Sequence, residues 1–381
     1  MLVVASGLVA TASSVSASAA PSISKALAAL PKADQGAYVQ VGQPDGFSAY
    51  GNFKSKYKAP YTIGYSSEYA GNSWRLGAIN YLNKTLVPQY EKAGLVKRVI
   101  TLQSNLSDAT QIQQIRQLVN DGVAAIFTCC ASTSALNSAI AYSNAHGVPF
   151  FVYSGYSTSK YSINTSANYV LGGESLAAQL AKSMNFKGNV LDVEGIPGAT
   201  SNDSIEAGMR LQMKKYPNIK IVGTVDGTWT DTIVKTQVLR YLATHPGPIN
   251  GIFVQSPGEA GALGAMQASG RPMVPITVSG EVATACYWSK NPNWATGATF
   301  VWPPVPEIAI SFNVMIRTLE GQDPIDQSII WNPVKSTLAQ LKSELPANCS
   351  TSSTDWIGPT PTQYMPTNKL NGFFKHGKNL L

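Results

Sequence analysis

Histidine is scarce in this chain of 381 residues: His146, His245 and His376 are the whole supply. His146 (NAHGVP) and His245 (ATHPG) each end a helix-like segment, where a cation or a capping group suits the helix dipole. His376 stands in the tail, and none of the three follows a strand-like run. That argues against a Ser-His-Asp hydrolase and against a histidine-bound metal. Cysteine is equally sparse. Cys129 and Cys130 are adjacent at the end of an apolar run and read as small strand-end fillers. Cys286 and Cys349 sit in polar, loop-like stretches and are free to pair in an exported protein. None has CxxC or Cys/His metal spacing. The phosphate-binding pattern GxxxxGK[ST] is missing. GEAGALGA lacks the GxGxxG order and reads as close helix packing. Charged residues make up only 13% of the chain, and the net charge of +7 is spread without a dense Lys/Arg run, so no nucleic-acid partner is expected. No segment is long and apolar enough to span a bilayer. These absences leave no catalytic residues to nominate, no metal site and no cofactor. The expectation is a non-enzyme.

What is present begins with MLVVASGLVATASSVSASAAPS, uncharged until Lys25. An apolar stretch followed by small residues reads as a secretory signal over residues 1–20, although the usual basic start is missing. Export to the periplasm or the extracellular side follows. Residues 21–59 are weakly patterned and read as a leader that wraps or extends from the first domain.

From Tyr61 strand-like and helix-like runs alternate. YTIGYSS, VKRVITLQS, VAAIFTCC and VPFFVYSG are short apolar strands, and GNVLDVEG, IKIVGTVDG, INGIFVQS, VPITVSGE and GATFVW follow the same plan. Between them lie helical segments such as DATQIQQIRQLVNDG, with Asp108 as the expected N-cap. Continuous apolar strands alternating with helices predict a doubly wound α/β fold with parallel sheets. The strands are too many for one sheet, so two lobes dividing near residues 160–170 are expected. Asp192 and Glu194, alternating in one strand, read as solvated or capping groups.

Ligands of such sheets sit beyond the carboxyl ends of the strands. The residues at those ends are Tyr69 to Arg75, Gln103, Cys129 and Cys130, Ser154 to Tyr156, Pro197 to Asp203, Trp229, Gln255, Ser256, Glu281 and Trp302. They are rich in tryptophan, amides and hydroxyls.

The segment from LQSNLSDATQIQQIRQLVNDGVAAIF through SALNSAIAYSNAHGVPFFVYSG resembles the first lobe of the periplasmic ribose-binding-like family, the solute-binding proteins of ATP-driven sugar importers. YVLGGESLAAQLAK, VEGIPGATSNDSIEAGM, YLATHPGPINGIFVQS and GALGAMQASG extend the resemblance over residues 60 to 325. It implies a type I periplasmic binding fold: two similar lobes joined by a three-crossover hinge, closing on a ligand. The implied division is 60–165 with 303–325 in the N-terminal lobe, 166–302 in the C-terminal lobe, and 326–381 as an extension crossing back over the lobes. Carried onto this chain, the resemblance implies ligand contacts by Asn72 and Trp74, by Trp229 as the facing aromatic, by Gln255 and Ser256, by Glu281 and by Trp302. Gln103 is added by its strand-end position. Ser154 stands where the family often has Asp-Arg, and Asp203 where it often has arginine, so Arg75 is the cation left to serve a ligand. Aromatic rings suit the C–H faces of a sugar and polar groups its hydroxyl edges. The implied partners are a carbohydrate or polyol and the membrane permease of an ABC importer, with the binding protein a monomer. A second reading has the same lobes presenting ligand to a chemoreceptor or histidine kinase.

Overall fold

The computed structural model describes residues 24–129, 132 and 134–381. The expected secretory signal and Cys130 lie outside the described residues. Eleven strands are present among the described residues. Six form one parallel sheet: β1 (Tyr61–Ser67), β2 (Val96–Gln103), β3 (Ala125–Cys129), β4 (Phe150–Tyr153), β5 (Ser162–Ala167) and β10 (Ser328–Trp331), in the order β10-β5-β4-β3-β1-β2. β3 and β4 are buried along their whole length, as strands covered on both faces must be. The edge strand β2 is less buried and keeps Lys97 and Arg98 exposed.

The second lobe holds β6 (Gly188–Glu194), β7 (Ile219–Asp226) and β8 (Gly251–Val254), parallel in the order β7-β6-β8. Ile276 adds a single parallel bridge to Ile252, so VPITVSGE extends this sheet by one contact and not by a full strand. β9 (Ala298–Phe300) and β11 (Lys335–Thr337) form an antiparallel pair beside it. The type I periplasmic binding fold expected from the sequence is therefore the fold found.

Three passages link the lobes. β5 ends at Ala167, Asn168 caps the helix Tyr169–Ser183, and that helix packs in the second lobe on the helix Thr200–Met213. The chain returns from β9 through Trp302 into the helix Pro304–Leu319, then leaves again from β10 to β11. β10 lies beyond residue 325, where the sequence reading ended the first lobe.

The leader lies against the β5 and β10 edge. Tyr38 donates its hydroxyl to the Ser328 carbonyl, Gln43 Nε2 bonds Ser166 Oγ at 2.7 Å, and Phe47 bridges Asp326. The tail touches both lobes. Cys349 is disulfide-bonded to Cys286, and Phe374 bridges Pro324. Cys286 is buried in the helix Val282–Lys290, not in a loop. Three other local expectations come out differently or more sharply. Ser107, not Asp108, caps its helix. Asp192 is buried, and Arg210 bridges it to Glu194 and Glu206 at 3.2–3.4 Å. GEAGALGA does pack closely: a Cβ on Gly261 would lie 2.1 Å from the Asp231 carbonyl oxygen.

Candidate functional site

A cavity lies between the lobes. Its first-lobe wall is built at the end of β1. Asn72 has extended backbone, and its Oδ1 accepts the Arg75 N–H at 2.9 Å, capping the helix Ser73–Tyr81. That cap fixes Trp74 and Arg75 in the first turn. Trp74 stacks on Tyr153 (6.2 Å, 20°) and donates Nε1–H to the Trp302 carbonyl at 2.9 Å. Trp302, on the second passage between lobes, meets Tyr169 edge to face at 5.5 Å. Tyr169 stands on the first passage and shares a 2.7 Å hydrogen bond with Ser154, whose φ of 56° is left-handed.

The second-lobe wall centres on Trp229. Thr228 and Trp229 both have left-handed φ, 50° and 54°, a conformation that side-chain-bearing residues seldom adopt and that concentrates at functional sites. The indole lies against Gly195: a Cβ there would fall 2.1 Å from its ring. Ser201 and Ile205, one helical turn apart, and Ser256 with Pro257 complete the wall.

Arg75 joins the two walls. It is 2% exposed, with its guanidinium 5.4 Å from the Tyr69 ring and 5.8 Å from the Trp229 ring, distances at which a cation is attracted to a π face. One terminal nitrogen, Nη2, pairs with Glu68 at 3.3 Å; the other, Nη1, is buried with no partner. Burial pushes the Glu68 carboxyl up to about 7, against the pull of Arg75. Trp229 Nε1 and Ser256 Oγ are likewise buried without partners. At the lips the lobes touch: Tyr156 N–H donates to Thr200 Oγ1 at 3.1 Å, and Ser132 bridges Ala199.

Of the residues expected from the sequence, Asn72, Trp74, Arg75, Ser154, Trp229, Ser256 and Trp302 line this cavity. Four do not. Gln103 is half-buried at the end of β2, where its carbonyl accepts from Gln114. Asp203 is exposed and bonded to Asn202, because in its helix Ser201 and Ile205 hold the inward face. Gln255 turns away and donates to Glu206 at 2.8 Å and to the Asn202 carbonyl. Glu281 is fully buried and accepts the N–H groups of Gly258 and Ala260 at 3.2 and 2.9 Å, so it clamps the turn after Ser256. Tyr169, Ile205 and Pro257 are absent from the expected set, and Ser201 falls within the strand-end stretch Pro197 to Asp203 without being singled out. The signal for Ser201 was helical spacing; Tyr169 follows β5, a strand too polar to recognise.

A family profile described as a periplasmic binding protein domain matches residues 63–323. This chain belongs to that family. The likeness to ribose-binding-like proteins is borne out as well. The ribose import binding protein of Bacillus subtilis is 26% identical over 226 residues, 59% of this chain and 71% of that protein. A xylitol-binding protein of Mycolicibacterium smegmatis is 25% identical over 189 residues, 49% of this chain. The match spans only 54% of the xylitol-binding protein's own length. An ABC transporter solute-binding protein of Thermobispora bispora shares the fold, with a TM-score of 0.71 at 20% identity, covering 81% of this chain and 94% of that one. These relatives are named as binding proteins, not as enzymes.

Proposed function

We propose that this protein captures a sugar or sugar-like polyol between its lobes, outside the cytoplasm, and delivers it to the permease of an ABC importer. The observation that carries the reading is the set of three tryptophans, Trp74, Trp229 and Trp302, converging from both lobes and the hinge on one buried cavity. Flat aromatic surfaces bind the C–H faces of a pyranose, furanose or extended polyol, and adjacent polar groups select among hydroxyl patterns. Asn72, Arg75, Ser154, Ser201 and Ser256 supply those groups here. Relatives named for ribose, xylitol and galactofuranose support the carbohydrate class. Delivery to a permease rests on family membership and on a cleft whose two lips already meet, a form a membrane partner can distinguish from the open one.

The test is intrinsic tryptophan fluorescence of the purified protein titrated with a panel of pentoses, hexoses, polyols and sugar acids. At least one member should change the emission saturably, because three indoles line the cavity. A folded protein that answers to none of them is incompatible with the proposal.

A further inference from the structure

The hydrogen-bonding capacity of the cavity is unbalanced toward donors. Asn72 Oδ1 accepts the Arg75 N–H, the Trp302 carbonyl accepts from Trp74, and the hydroxyls of Ser154 and Tyr169 pair with each other. Two groups that can only donate are left over and buried, Arg75 Nη1 and Trp229 Nε1, beside Ser256 Oγ, which can donate or accept. Among the described residues that line the cavity, none carries a carboxylate. A neutral hydroxyl can accept from these two donors, but it also brings an O–H that needs an acceptor of its own. A carboxylate brings acceptors only.

We propose that the ligand is an anionic sugar derivative, a polyol or sugar ring bearing one carboxylate, and that Arg75 Nη1 with Trp229 Nε1 receives that group. This refines the proposed function and rests on it. Charge explains the pairing as well as hydrogen-bond counting does. Arg75 is buried with one counter-ion, Glu68, which reaches only Nη2 at 3.3 Å. A second carboxylate, brought by the ligand, would satisfy the free face of the guanidinium in a setting of low polarity, where ionic hydrogen bonds are strongest. Glu68 has the complementary part of holding the guanidinium between the Tyr69 and Trp229 rings. The remaining hydroxyl of Ser256, which has no protein partner, is placed to serve the polyol portion.

Calorimetric titration of the full chain with matched pairs decides the matter: gluconate against glucitol, xylonate against xylitol, and glucuronate against glucose. At least one acid should bind about tenfold to hundredfold more tightly than its neutral partner, the range expected for gaining a buried charge-assisted bond. Arg75→Gln should abolish that preference, and Glu68→Gln, which leaves Arg75 unneutralised, should widen it. Circular dichroism of each variant establishes that it is folded, and the wild-type pairs stand as a test even if Arg75→Gln fails to fold. Equal or tighter binding of the neutral members overturns the anion proposal and leaves the carbohydrate reading intact. Silence of the folded wild type toward every member overturns both.

Discussion

Trp229 is held where it is by what its neighbour lacks. Its left-handed backbone turns the indole onto Gly195, and there is no room for a Cβ between them. Trp229→Ala removes one aromatic platform and its indole donor, and should weaken ligand binding by about thirtyfold to a thousandfold, since such anchors are worth about 2–4 kcal/mol. Gly195→Ala should reproduce most of that loss with Trp229 still present, because the indole must swing out of the cavity. Titration of both variants with the same ligand checks the pair. If Gly195→Ala binds like wild type, the indole does not need its present seat. Arg75 shows how far sequence reading goes at this scale. Its position after β1 marks it as the available cation, but the pairing of Nη2 with Glu68 is not legible in the chain, since Glu68 lies on a loop whose course depends on the fold.

The elements most easily read were those with a buried, apolar identity: β1, β3 and β4 were plain because nearly every residue in them is inside. β5 was invisible because SINTSA is polar yet buried. Its side chains find partners in the leader and in β10: Ser166 bonds Gln43, and Asn164 Nδ2 lies 3.3 Å from Ser328 Oγ. A strand whose cover is another polar segment has no hydrophobic period to reveal it. The same limit hid Tyr169, which follows β5 into the hinge. The turn after β8 is legible from its strand-end position, but its division of labour is not. Ser256 faces the cavity, whereas Glu281 braces the turn from behind. Glu281→Gln leaves one of those two N–H groups without an acceptor and should destabilise the protein by about 1–3 kcal/mol. It should lower the thermal midpoint by a few degrees and weaken binding only modestly. Complete loss of binding with an unchanged midpoint would instead make Glu281 a direct ligand contact.

Across the whole molecule, two further properties follow, one from buried carboxyls and one from the tail. Burial pushes the carboxyls of Asp192, Glu259, Glu307 and Asp326 up to about 8. In the unfolded chain such groups titrate near 4, so between about pH 4 and pH 8 the native state holds more protons. Stability must therefore fall as pH rises through that window and level off above it. The thermal midpoint should be several degrees higher at pH 5 than at pH 8; the opposite slope would mean that these carboxyls are ionised in the native protein. The second property belongs to the tail, which makes a further connection between lobes besides the three passages. It is bound to the second lobe by the Cys286–Cys349 disulfide and by backbone bonds from Val282 to Asp355 and from Ile357 to Gly280, each 2.9 Å. It reaches the first lobe through Trp356, whose Nε1–H donates to Ser73 Oγ at 3.2 Å, and through Phe373, which accepts the Ile325 N–H. Ser73 begins the very helix that carries Trp74 and Arg75. Separating the lobes must stretch or release this strap. Closing a loop with a sequence separation of 63 residues by a disulfide stabilises typical proteins by about 2–4 kcal/mol. The double variant Cys286→Ser, Cys349→Ser should melt several degrees lower, expose residues 346–360 to protease first, and release ligand faster in stopped-flow fluorescence. Slower melting of the tail than of the lobes, or an unchanged off-rate, would show that the strap stabilises the fold without restraining the cleft.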